Sequence, residues 1–254
     1  MADDDDEGRV DDPGSRDARP LGQLLASRRL VLFDLDDTLC DYSLARSRRL
    51  ERAFGDAFRA SGRALPEDLA GLIARSIAAD PHGVDHFPEI LGGFGLTNDI
   101  IQASQRWYRD NRFEGLAFFA DTRTVLDAVR RQPGVIGRQI GIVTNGPAEV
   151  QRAKVERLGV AALVDFTVIS GEFGVHKPDP AIFREALRRG GVATDDAVYI
   201  GDSPEYDVAG ARAAGLTVVW VNRDSAPWSG PGAPPDATIR DIGEIAQAIT
   251  IVTR

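Results

Sequence analysis

Cysteine is all but missing: Cys40 stands alone in 254 residues. An internal disulfide is excluded, and a reducing compartment fits. No apolar run approaches the roughly 20 residues a helix needs to span a bilayer, so a membrane partner is not expected. A basic start is missing as well. The chain opens Met1-Ala2-Asp3-Asp4-Asp5-Asp6-Glu7, opposite in sign to a secretory or mitochondrial leader, and a cytoplasmic location is the expectation. Nor is there a basic footprint for nucleic acid. The net charge is −9, of which residues 1–20 carry −5 and the other 234 residues only −4. The acidity belongs to a tail. There is no internal repeat and no signal of oligomeric state.

What remains is an ordinary globular composition, 43% apolar and 27% charged. Residues 1–24 are acidic and poor in large apolar side chains, which predicts disorder. From Arg29 onward short strands dense in Val, Ile and Phe alternate with helices. Strands are expected at Leu30–Phe33, Gln139–Val143, Phe166–Ile169, Ala197–Ile200 and Thr217–Val221. Helices are expected at Thr122–Arg131, Ala148–Leu158, Pro180–Arg189, Glu205–Ala214 and Ile242–Ile251. Pro180 suits a first helical turn, and Gly159, Gly190 and Gly215 suit helix stops. Such repeated β–α units predict an α/β fold, a doubly wound parallel sheet of Rossmann-like type covered on both faces. Residues 41–115 break the alternation. Leu50, Phe54 and Phe58 recur on one helical face, as do Leu69, Leu72, Ile73 and Ile77. The expected division is a core of residues 25–40 and 116–254 with a helical insert at 41–115. Residues Ala226–Asp236, with four prolines and two glycines, read as an irregular loop.

The chemistry gathers at strand ends. Leu30-Val31-Leu32-Phe33 runs into Asp34-Leu35-Asp36-Asp37-Thr38. Carboxylates are disfavoured in strands and costly to bury unpaired, so two of them two residues apart at a strand's end suggest a cation site or a nucleophile. Three more polar clusters follow later strands: Thr144-Asn145-Gly146, Lys177-Pro178-Asp179-Pro180, and Gly201-Asp202-Ser203 with Asp207 beyond. Singly each is modest. In a parallel sheet all four face the same edge, where ligands bind.

These four boxes, in this order, resemble the haloacid dehalogenase superfamily over about Leu30–Asn222. The helical insert is similar to that family's α-helical cap of the first type. Thr144-Asn145-Gly146 with Gln151 and Lys154, then Gly174-Val175-His176-Lys177-Pro178, is similar to the branch holding pyrimidine nucleotidases and N-acylneuraminate phosphatases. The resemblance implies a Mg2+-dependent phosphatase acting on a small phosphorylated metabolite, a nucleoside monophosphate or a sugar phosphate. It implies Asp34 as the nucleophile and Asp36 as the acid and base. Mg2+ would sit on Asp34, Asp202 and the backbone carbonyl of Asp36, with Asp207 on the ion or its water. Phosphate would be held by the Thr144 hydroxyl, the Asn145 backbone amide and Lys177. Asp37 is left out of catalysis, and a packing or surface role is expected for Cys40 and His176.

Substrate choice is expected in the cap, where Arg46, His82, His86, Trp107 and Tyr108 are candidates and Leu91–Gly95 reads as a flexible loop. Three other readings compete. Dehalogenation is disfavoured because those relatives lack an acid at the position of Asp36. A phosphomutase needs a cap that shields the intermediate from water. A non-catalytic binding protein on the same scaffold would commonly lack the nucleophile.

Overall fold

The computed structural model describes residues 18–80 and 83–252. The elements run α1 (Ala18–Ala26), β1 (Leu30–Phe33), α2 (Tyr42–Ala60), α3 (Leu69–Ala79), α4 (Phe87–Gly92), α5 (Asn98–Asp110), α6 (Thr122–Arg131) and β2 (Gln139–Thr144). They continue with α7 (Ala148–Leu158), β3 (Phe166–Ile169), α8 (Ser170–Phe173), α9 (Pro180–Gly190), β4 (Ala197–Gly201), α10 (Ala209–Ala213), β5 (Thr217–Val221), β6 (Ala237–Ile239) and α11 (Gly243–Val252). The sheet is wholly parallel, in the order β3-β2-β1-β4-β5-β6. It is an α/β doubly wound core.

The strand sequences explain why both faces are covered. Side chains alternate across a strand. Val31 and Phe33 join Ile140, Ile142, Val198 and Ile200 on one face, under α1, α6 and α11. Leu30 and Leu32 join Val143, Val168 and Tyr199 on the other, under α9 and α10. All four β1 residues are fully buried, as an unbroken apolar strand in a parallel sheet requires.

Three expectations change. Residues 18–24, read as disordered, are helical. Leu21 and Leu25 of α1 pack with Ile245 and Ile249 of α11. Arg138 holds the end of α1 by donating to the carbonyls of Leu25 and Arg28 at 2.9 and 2.8 Å. Residues 1–17 lie outside the described residues. Leu91 and Gly92 close α4 instead of forming a loop, with Leu91 fully buried. Finally, β6 follows the Pro/Gly-rich stretch and pairs with β5.

The four helices α2–α5 surround a cluster of their own, centred on Phe54, Phe58, Phe87 and Leu91. Phe54 and Phe87 meet edge to face at 5.0 Å. This bundle stands between β1 and the rest of the sheet in sequence. Among the described residues no helix is long and apolar enough to cross a membrane.

Candidate active site

The register of the central strands sets the site. Phe33 lies beside Ile142 of β2 and Ile200 of β4. The residues that follow, Asp34, Thr144 and Asp202, therefore emerge at one edge. The Asp34 amide donates to the Ile200 carbonyl at 2.9 Å, which extends the ladder by one residue and fixes the direction of its side chain.

Lys177 is the hub. Its Nζ is 2.5 Å from Asp34 Oδ1, 2.7 Å from Asp207 Oδ1 and 3.1 Å from the Tyr199 hydroxyl. The Lys177 and Asp207 side chains are 4% and 1% exposed, so these are dry contacts. Tyr199 in turn donates to Asp207 Oδ1 at 2.7 Å, and the Ser203 amide donates to Asp207 Oδ2 at 3.0 Å. Asp207 sits on a π-helical turn at Pro204–Val208, a local distortion common at functional sites. Gly201 makes room for it, since a Cβ there would come within 2.5 Å of the Asp207 carboxyl carbon.

Asp202 is held from both sides. Thr38 Oγ1 donates to its Oδ1 at 3.1 Å, and Trp220 Nε1 donates to its backbone carbonyl at 2.7 Å. Trp228 packs edge-on against Trp220 at 5.4 Å, which places the Pro/Gly-rich loop behind the site. Asn145 fixes the Lys177 loop with a reciprocal pair: its Nδ2 donates to the Lys177 carbonyl at 3.0 Å and its Oδ1 accepts from the Lys177 amide at 2.8 Å.

Asp36 turns elsewhere. Its carboxylate accepts from Lys154 Nζ at 2.6 and 2.7 Å and from Gln151 Nε2 at 3.0 Å. Gln151 and Lys154 lie three residues apart on one face of α7 and are 1% and 0% exposed. The Lys154 ammonium also lies 3.8 Å from the centre of the Tyr42 ring. Asp37 has φ of 58° and its carboxylate accepts from the Ser43 amide and hydroxyl, tying the box to α2. Arg223 clamps the same loop. It donates to the carbonyls of Asp37 and Thr38 while its guanidinium lies 3.7 Å from the centre of the Phe119 ring.

The electrostatics describe an overloaded acid cluster. Burial pushes the Asp34 carboxyl well above its usual range; Lys177 opposes this, while Asp207, Asp202 and Asp36 add to it. Burial, then Asp207 and Asp37, push Asp202 up to about 7 against Lys177 and Thr38. Burial by itself would favour a neutral Lys177, yet Asp207 and Asp34 outweigh it and hold the ammonium firmly protonated. One oxygen each from Asp34, Asp202 and Asp207 lies within 4.8 Å of the others. Three carboxylates around one ammonium leave negative charge in excess, and an all-oxygen donor set of this kind suits a hard divalent cation. Beside it, Thr144 lines the cleft, and its Oγ1 is buried with no hydrogen-bond partner.

The cleft has a volume of about 850 Å3 and runs from Asp34 to the cap residues Tyr42, Ser43, Arg46 and Ile77. Of the cap candidates, Arg46 lines it. His86 instead meets Ser76 Oγ at 2.6 Å, Trp107 stacks under Arg52, and Tyr108 lines a separate cavity of about 140 Å3. His82 lies outside the described residues. His176 is exposed at the cleft's edge and Cys40 is fully buried. Tyr199 was not singled out by sequence: a tyrosine in an apolar strand reads as core, and only the position of its hydroxyl reveals the role. Gln151 and Lys154 were visible only as part of a motif.

A parallel sheet ending in an acid–lysine cluster under a helical cap defines a class of hydrolase built around a carboxylate. Residues 28–215 match the haloacid dehalogenase-like hydrolases, and the chain belongs to that family. A phosphoserine phosphatase of Thermus thermophilus is 32% identical over 249 residues, covering 85% of this chain and 97% of its own. A glyceraldehyde 3-phosphate phosphatase of Methanopyrus kandleri is 34% identical, covering 77% and 84%. The N-acylneuraminate-9-phosphatase of Homo sapiens, from the branch the motifs resemble, is 30% identical, covering 79% and 85%. The crystal structure of a HAD phosphatase from Thermococcus onnurineus is similar with a TM-score of 0.60 at 27% identity, covering 86% of this chain and 96% of that one.

Proposed function

We propose that the chain is a Mg2+-dependent phosphatase that cleaves a small phosphorylated metabolite, a sugar phosphate or nucleoside monophosphate, through a phosphorylated Asp34. The observation that carries this reading is the pairing of Asp34 with Lys177 at 2.5 Å in a cleft also lined by Thr144, whose hydroxyl has no partner. A nucleophile, its counter-cation and an unpartnered donor for a phosphate oxygen line one cleft. The relatives' names, all phosphatases of small phosphomonoesters, support the same class.

Asp34 and Asp202, with the backbone carbonyl of Asp36, would hold Mg2+, which would neutralise charge between an anionic nucleophile and an anionic phosphate. Asp207 anchors Lys177 and would face the same cation or its water. An Asp34 oxygen attacks phosphorus as the bond to the leaving oxygen breaks. Asp36 gives that oxygen its proton. Water then attacks the phosphorus of the acyl phosphate and returns a proton to Asp36, releasing inorganic phosphate and restoring the Asp34 carboxylate. Lys177, the Thr144 hydroxyl and the Asn145 amide bind the phosphoryl oxygens. Lys154 and Gln151 position the Asp36 carboxylate through the hydrogen bonds it accepts from them. To donate, its side chain must leave Lys154.

The test is phosphate release from a panel of sugar phosphates, nucleotides and phosphoserine with Mg2+ or with a chelator, beside Asp34→Asn. Release that needs the cation and vanishes in the variant is expected. Release that survives Asp34→Asn would remove the covalent mechanism.

A further inference from the structure

Arg46 is a buried charge without a countercharge among the described residues. It lies on α2, is 2% exposed, and lines the same cleft as Asp34 and Lys177. Its Nη2 donates to the Asp80 backbone carbonyl. Its Nε and Nη1 are buried with no hydrogen-bond partner, and no carboxylate among the described residues pairs with it. A guanidinium brings five N–H donors and a permanent charge, and burying it unpaired is costly. The other buried arginines are better provided for. Arg49 donates to the Glu114 carbonyl and stacks on Tyr42 and Tyr108. Arg138 donates to carbonyls of Val129, Leu25 and Arg28 as well as to Gln132.

The position matters as much as the missing partner. The phosphoryl group is claimed by the core, by Lys177 and Thr144. Arg46 belongs to the cap, across the cleft, on the side left for the rest of the substrate. We propose that Arg46 binds a second anionic group, carried on the alcohol part of the substrate, so that the preferred esters are phosphomonoesters bearing a carboxylate or a further phosphate. This rests on the phosphatase reading and narrows it. Arginine suits the task because carboxylate and phosphate oxygens match its planar donor array. A neutral alcohol leaves Arg46 unpaired and so binds less well, which is selection by an unmet polar group.

Three esters on one three-carbon chain test this: propyl phosphate, 3-phosphonooxypropanoate and propane-1,3-diyl bisphosphate. The readout is the ratio of kcat/KM for each anionic ester to that for propyl phosphate, taken within each protein, so that altered folding cancels. The wild type is expected to favour at least one anionic ester by about 10-fold or more, mainly through KM, as a charge-assisted contact warrants. The two anionic esters tell carboxylate from phosphate. In Arg46→Gln the ratio should fall to within about threefold of unity, and Arg46→Lys should restore part of it. A wild-type ratio near one, or a ratio unmoved by Arg46→Gln, would overturn the proposal. Calorimetric binding of the same three esters to the wild type and to Arg46→Gln separates the two readings. Absent turnover with a binding ratio that collapses in the variant removes the phosphatase and keeps the anion site. No preference in binding removes the anion site whatever the turnover.

Discussion

The core edge and the cap wall face each other across one cleft and treat their charges in opposite ways. At the core edge most charged groups have a countercharge, and the Asp202 carboxylate has the Thr38 hydroxyl. Lys177 lies between Asp34 and Asp207, and Asp36 lies against Lys154. On the cap wall Arg46 is buried and largely unanswered. Charges held by one another and by the backbone are pre-organised whatever alcohol the substrate carries, which suits chemistry common to many substrates. An unsatisfied group draws affinity only from the molecule that completes it, which suits selection. On the proposed function, catalysis and choice would be divided between these two structural layers.

That division can be broken most forcefully at Lys177. Lys177→Met leaves Asp34 and Asp207 buried and facing each other without a cation. We expect a loss of about 3–5 kcal/mol in unfolding free energy and of about 10²–10³-fold in turnover, measured by denaturant titration and phosphate release. Matched truncations sharpen the contrast. Phe183 packs edge-on to Tyr199 at 5.0 Å, and Phe54 stands in the cap cluster. Each change to Ala should cost about 3–5 kcal/mol. Phe183→Ala should also loosen Tyr199 and lower kcat, whereas Phe54→Ala should act mainly on KM. Equal effects on kcat would contradict the separation.

Acidity separates the regions more gently. Burial holds the His86 imidazole below its usual 6.5, with Arg46 acting in the same direction and Asp80 opposing. The unfolded chain therefore binds the proton more readily. The contribution of His86 is complete above pH 6.5 and is lost as pH falls below it. Thermal melts from pH 7.5 to 5 should decline more steeply for the wild type than for His86→Asn. The smallest effect is expected at Glu185 on α9, held near 2 by hydrogen bonds from Arg188 and Arg189. Its stabilisation is present above about 4.5 and fades as pH falls toward 2. Glu185→Gln should flatten the melting curve only in that range.

The chemical half of the molecule was legible because local rules and topology agree there. Leu30–Phe33 is strand as expected, and the parallel register then carries Asp34, Thr144, Lys177 and Asp202 to one edge without further information. Tyr199 escaped because a side chain's role in a strand depends on where its hydroxyl ends. Lys154 and Gln151 were legible as part of a motif, but not what they touch, because their partner, Asp36, lies more than a hundred residues earlier. α1 was masked by the acidic composition around it, although Leu21 and Leu25 carry the spacing of one helical face. β6 has three residues, too few to rise above a loop rich in proline and glycine. In the cap the periodicity revealed helices, but it could not tell Arg46, which reaches the cleft, from Trp107, which does not.

The contact between α1 and α11 has a consequence for how the chain comes together. A nine-residue helix does not persist alone in water. The segment that shelters α1 is encoded more than two hundred residues downstream. During synthesis Leu21 and Leu25 emerge long before the α11 residues that cover them. α1 is thus a clasp whose hold depends on α11, and its amides are expected to gain protection from exchange only once α11 is in place.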